Sequence, residues 1–116
     1  MRVVALGSDL LIGSRLESMA VAAGATFTRC AHPDALPSPA DVDLLLVDWG
    51  ARGTDWAAGL AAWRAGAVTP APPMVLFGPH TDLAAHAAAR SSGLGPMRAR
   101  SAILSDLPNL LARLRP

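Results

Sequence analysis

The chain has 116 residues, 52% of them hydrophobic and 16% charged, with a formal net charge of +1; this suits one globular domain, spanning 1–116, with a real core. All ten basic residues are arginine, which excludes any lysine-dependent mechanism, and they are scattered rather than gathered into the basic face that nucleic acid requires. No apolar run approaches the roughly 18 residues of a membrane span and no signal-peptide pattern opens the chain, so a cytoplasmic protein without membrane contact is expected.

Arg2-Val-Val-Ala-Leu6 reads as a short strand, broken by Gly7-Ser8-Asp9. Ile12, Leu16, Met19, Ala20 and Ala23 then recur at helical spacing, and Gly24 stops the helix. Residues 25–29 alternate as a half-buried strand should. Three prolines between His32 and Pro39 remove the amides a helix needs, so the second crossover helix is shortened or missing. Cys30, the single cysteine, has no partner for a disulfide and reads as a small core or strand-end residue.

Asp43-Leu-Leu-Leu-Val-Asp48 has the unbroken apolar run of a central parallel strand. Thr54 is placed to cap the next helix, whose Trp56, Leu60 and Trp63 share one face and read as core packing. Pro70 to Pro73 precede a fourth strand, Met74–Gly78, and an alanine-rich helix is expected from Thr81 to about Ser91. A short fifth strand at Met97–Ala99 leads to a last helical segment carrying Leu104, Leu107, Leu111 and Leu114, which Pro108 is expected to divide into a turn and a helix.

This alternation predicts an α/β fold with a doubly wound, five-stranded parallel sheet. Ligands of such sheets sit beyond the carboxyl ends of the strands. Four strand ends here bring Ser8, Asp9, Asp48, His80, Arg100 and Ser101 into range of one another, with Gly7, Gly50 and Gly78 beside them. None of His32, His80 and His86 has a partner at metal-ligand spacing. His80, after Gly78-Pro79, is read as a structural or titrating group at a helix start, and Asp48 as either a functional carboxylate or a strand-end cap bonding backbone amides.

The segment from Asp43 through Asp48 to Gly53 is similar to the signature of response-regulator receiver domains, in which an Asp ends the third strand and a Gly follows five residues later. The rest of the chain keeps register with that pattern. The resemblance implies the flavodoxin-like strand order 2-1-3-4-5, a place in bacterial two-component signal transduction, and Asp48 at the phosphoacceptor position. It also exposes departures. The two metal-holding acids correspond to Gly7 and Ser8, with Asp9 one step late; the strand-four hydroxyl corresponds to Gly78; the strand-five lysine corresponds to Arg100, and the proline beside it to Ser101. Asp9 and Asp48 are left as weak Mg²⁺ candidates, and phosphoryl transfer needs charge neutralisation that this set supplies poorly.

The reading that follows is a degenerate, stand-alone pseudo-receiver: a non-enzymatic, phosphorylation-independent signalling module with no cofactor. Arg100 opposite Asp48 would replace the phosphorylated state by a permanent ion pair. With no effector domain attached, output is expected to pass through an unidentified protein partner or a C2 homodimer. The family's contact face would present Ala84, Ala87, Ala88 and Met97. Alternatives are a residual Asp48 phosphoacceptor, a nucleotide or small-ligand binder suggested by Gly7 and Gly13 after the first strand, and a small hydrolase using Ser8 or Ser101 with His80.

Overall fold

The computed structural model describes residues 1–68 and 70–114; positions 69, 115 and 116 lie outside the described residues. Five strands, β1 (Arg2–Leu6), β2 (Thr26–Cys30), β3 (Leu44–Asp48), β4 (Met74–Gly78) and β5 (Met97–Ala99), pair in parallel in the order β2-β1-β3-β4-β5. Four helices alternate with them: α1 (Leu10–Ala22), α2 (Trp56–Ala65), α3 (Leu83–Ser92) and α4 (Arg100–Leu114).

Side chains alternate across the sheet, and each strand therefore feeds two cores. Val3, Ala5, Leu44, Leu46 and Phe77 pack with Ile12 and Leu16 of α1 and Ile103, Leu107 and Leu111 of α4. Val4, Leu6, Leu45, Val47 and Leu76 pack on the other face with Trp56 and Leu60 of α2 and Ala85 and Ala89 of α3. Every residue of β3 is buried, as its unbroken apolar run requires, and this central strand carries Asp48 to the carboxyl edge of the sheet. Strand β2, at the edge, is mostly exposed, so the alternation expected of it is weak.

Between β2 and β3 the chain makes only two single 3₁₀ turns, Pro33–Ala35 and Pro39–Asp41, each with a proline at its start. The proline segment takes the place of a crossover helix by leaning on α2: the Trp63 indole N–H donates to the Pro37 carbonyl at 2.8 Å, and Gly59 leaves room for Pro33.

Three local expectations are corrected. Asp55 rather than Thr54 precedes α2, and its carboxylate makes no capping bond because it turns to His32. Helix α3 starts at Leu83, two residues later than expected, because Asp82 accepts from the Ala85 amide at 3.0 Å and sets the first turn. Pro108 does not divide α4, which runs unbroken from Arg100 to Leu114. Ile103 on one side of the proline and Leu107 and Leu111 on the other dock on the same sheet face, and that packing outweighs the loss of one intrahelical bond. The buried stripe of α4 is accordingly Ile103, Leu107 and Leu111, with Leu104 and Leu114 only half covered.

Candidate functional site

Three loops meet at the carboxyl edge of the sheet around Asp48. The backbones of two of them touch: a Cβ on Gly78 would lie 3.1 Å from the Gly50 nitrogen and 2.7 Å from the Met97 sulfur, and a Cβ on Gly50 would meet the Pro79 ring at 2.7 Å. Only glycine permits that approach. The third loop closes at Gly7, whose φ of +156° is open to glycine alone and whose Cβ would fall 2.8 Å from the Asp48 Cβ.

Asp48 is 2% exposed, the only buried charged residue among those described. It makes no N-cap bond of ordinary geometry to the 3₁₀ turn that follows, and the Ala51 amide in that turn contributes only a minor downward pull on its pKa. Its Oδ1 has no hydrogen-bond partner. The nearest cation is Arg100, the first residue of α4, with Nη2 4.0 Å from Oδ1; the Arg100 Nε is itself buried and unbonded. The expected pair therefore exists as a long contact rather than a bidentate fork. Burial pushes the Asp48 carboxyl above its ordinary range; the Arg100 charge opposes that rise, and Asp9 adds a smaller push upward.

Asp9 is occupied elsewhere. Its Oδ1 accepts from the amides of Leu11 (3.0 Å) and Ile12 (3.2 Å), capping α1. Those are the amides a pyrophosphate would require, and Gly13, the second glycine of the suggested nucleotide turn, lies within the helix against the Arg29 guanidinium. The donor set suits a hard dication poorly. Gly7 has no room for a carboxylate, Asp9 is engaged by backbone, and among the described residues no group of three or more His, Cys, Asp or Glu side chains is placed to hold a metal.

The remaining positions divide. Ser8 lines a cavity together with Asp9 and Asp48. His80 and Ser101 are both exposed. The His80 carbonyl accepts from His86 Nε2 at 3.0 Å, a role for its backbone rather than its ring. Of the expected contact face, Ala84 and Ala87 are exposed and Ala88 half-buried, but Met97 is buried in the core, held there by the side chain-free Gly78, and is not a surface residue. Cys30 sits buried at the end of β2 with its thiol directed to the Ala35 carbonyl at 3.4 Å, and burial raises its pKa.

One contact was missed by sequence reading. His32 Nδ1 accepts from the Asp34 amide at 3.2 Å, which leaves Nε2 as the protonated nitrogen, and Nε2 donates to Asp55 at 2.9 Å. Asp55 lies 23 residues on, so no local spacing signals it.

No family model matches the chain, and no curated protein matches it. Solved structures do resemble it. The RcsB response regulator of Salmonella typhimurium matches with a TM-score of 0.70 at 15% identity, over 98% of this chain and 59% of that one. The receiver domain of Francisella response regulator 1452 gives 0.68 at 13% identity, over 97% and 94% of the two chains. The non-phosphorylated receiver domain of Escherichia coli RcsB gives 0.66 at 15%, over 98% and 92%. This chain thus spans about three-fifths of the Salmonella protein and nearly all of the isolated receiver domains. At such identities the likeness speaks for architecture, and with the observed strand order it shows that the chain has the receiver fold of response regulators.

Proposed function

We propose that this domain is a signalling module of the receiver fold that acts by binding another protein, without an enzymatic step and without phosphorylation of Asp48. The observation that carries the reading is the fit of Gly7 against Asp48: where a receiver would place an acid beside its phosphoacceptor, the backbone here leaves no space for a side chain. Three further features support it. Asp9 is consumed as a helix cap, Arg100 supplies a branched guanidinium instead of a compact ammonium, and Asp48 is buried with its charged form disfavoured.

The partner-binding face we assign is the outer side of α3. Leu83 is 77% exposed at its start, followed by exposed Ala84 and Ala87, so a partner backbone can approach closely and cover an apolar side chain at the same time. A second copy of the chain fits such a small-residue face through a two-fold axis, and the cytoplasm is the compartment we assign.

The test is intact mass and melting temperature of the purified protein with Mg²⁺ and beryllofluoride, which mimics an acyl phosphate on aspartate, and with acetyl phosphate as donor. No added mass and no thermal shift are expected. A metal-dependent rise in melting temperature that disappears in Asp48→Asn would show a working phosphoacceptor and sink the proposal.

A further inference from the structure

The sheet ends at β2 with its outer edge open. The Thr26 amide donates to the Met1 carbonyl at 2.9 Å, and the Cys30 carbonyl accepts from the Gly7 amide at 2.8 Å. Backbone groups of a parallel strand alternate between its two sides. Thr26, Thr28 and Cys30 therefore face β1, whereas Phe27 and Arg29 turn their amides and carbonyls away from the sheet. The usual guards of such an edge are missing: residues 26–30 hold no proline, lysine or bulge, and their one charge, Arg29, is matched by Glu17 at 2.8 Å. Thr28 is exposed, on the face where two 3₁₀ turns replace a crossover helix.

The helix beside this edge is bare as well. Arg29 Nη2 reaches Ser14 Oγ at 3.3 Å and Glu17 Oε1 at 2.8 Å, so the Ser14–Glu17 side of α1 stands over β2. Leu10 and Val21, one turn before and one turn after that pair, extend the same stripe. They are 76% and 59% exposed, and with Leu11 they make up three of the five large apolar residues exposed on the described chain.

An extended strand satisfies the edge, and the spacing favours one that brings its own helix. Antiparallel pairing about a two-fold axis at Thr28 sets Phe27 of one copy opposite Arg29 of the other, the two residues whose backbone groups point outward. Strands pair about 4.8 Å apart and α1 covers β1 and β2, so the same axis places the two α1 helices about 10 Å apart, the distance at which helices pack. They run antiparallel there, with Leu10 of one copy toward Val21 of the other and the two Arg29–Glu17 pairs side by side with opposite polarity. A foreign strand would leave Leu10 and Val21 bare, and a formal net charge of +1 gives two copies little mutual repulsion.

We propose that the β2 edge and the Leu10–Val21 stripe of α1 form a self-association surface on which a second copy docks, joining the two five-stranded sheets into one. This surface lies at the opposite edge of the sheet from β5 and on the opposite face from α3. It depends neither on what α3 binds nor on whether Asp48 can be phosphorylated.

Sedimentation equilibrium of the full chain over a dilution series should show a reversible dimer. Thr28→Lys opposes two like charges across the axis, and Leu10→Glu with Val21→Glu charges the exposed stripe. Each should raise the dissociation constant at least about tenfold while the diluted protein keeps its native circular dichroism. Leu83→Glu on α3 should leave the constant unchanged. In a Cys30→Ala background, Thr28→Cys should form an intermolecular disulfide under mild oxidation, because residues facing each other at a non-hydrogen-bonded position stand about 4.5 Å apart at Cα. Ala84→Cys on α3 should not. A chain that stays monomeric throughout the series, a dimer that survives Thr28→Lys, a dimer broken by Leu83→Glu, or crosslinking at position 84 rather than 28 would overturn the assignment.

Discussion

Gly7 and Asp48 come so close that a Cβ on the glycine would lie 2.8 Å from the Cβ of the aspartate. Real side chains essentially never meet at that distance, and the φ of +156° at Gly7 adds strain for any other residue. Gly7→Asp, the change that rebuilds a receiver's acidic pair, should therefore cost about 2–4 kcal/mol in urea unfolding, from overpacking, strain and a second carboxylate beside a buried one. Equal stability of Gly7→Asp and the native chain would show that the loop can open, and would remove the steric argument against a metal pair.

Asp48→Asn should stabilise the protein at neutral pH. Burial raises the carboxyl's pKa in the fold, so the native state holds the proton more tightly than the unfolded chain does. The stability this contributes is complete below the unfolded value of 3.8 and is lost as pH rises through the higher folded pKa. Asn mimics the protonated form at all pH values. The melting temperature of the variant should exceed the native one by a few degrees at pH 7, for a gain of about 1 kcal/mol, and the difference should shrink toward zero near pH 4. An Asn variant less stable at pH 7 would mean that the Arg100 contact outweighs desolvation.

The salt link of Arg2 to Asp43 has the opposite pH sense. Asp43 accepts from the Arg2 backbone amide at 2.6 Å and from Nε at 3.2 Å, and the Arg2 bond lowers its pKa. Its contribution is present above the unfolded value of 3.8 and is lost as pH falls through the lower folded one. Both side chains are more than a third exposed, so water and salt screen the pair. Asp43→Asn should lower the melting temperature by no more than about 2 °C at pH 7, less in 1 M NaCl; a loss that is insensitive to salt would point to the backbone bond alone.

Pro108→Ala should strengthen α4. Pro108 is exposed at the ninth position of a fifteen-residue helix, where it withholds an amide from the preceding turn. Alanine restores that bond, partly offset by the freer unfolded chain, for a gain of about 1–2 kcal/mol in chemical denaturation. A loss of stability instead would indicate that the proline shapes the curve of α4 onto the sheet.

Trp49→Phe should destabilise by about 2 kcal/mol, through the lost indole bond to the Ala85 carbonyl at 3.0 Å and lost volume in a 1%-exposed side chain. Because that bond joins the loop after Asp48 to α3, amide exchange should quicken in residues 49–51 more than in α1. A uniform increase would assign Trp49 to general packing.

Much of this architecture was legible along the chain because its signals are local. Alternation places strands, a buried run such as residues 44–48 marks the central strand, and prolines between 33 and 39 remove a helix wherever they occur. The same reading put Asp48, Asp9 and Arg100 at one sheet edge, since parallel strands deliver their carboxyl ends together. What it could not weigh was competition between neighbours distant in sequence. Pro108 stays helical because Ile103, Leu107 and Leu111 share a floor, and Met97 turns inward because Gly78 leaves a hollow for its sulfur. His32 finds Asp55 only after the sheet has formed. The residue types at the site were thus set by sequence alone, while the closed space between Gly7 and Asp48 and the unbonded Oδ1 exist only where three loops converge, because distance and burial are properties of packing rather than of order along the chain.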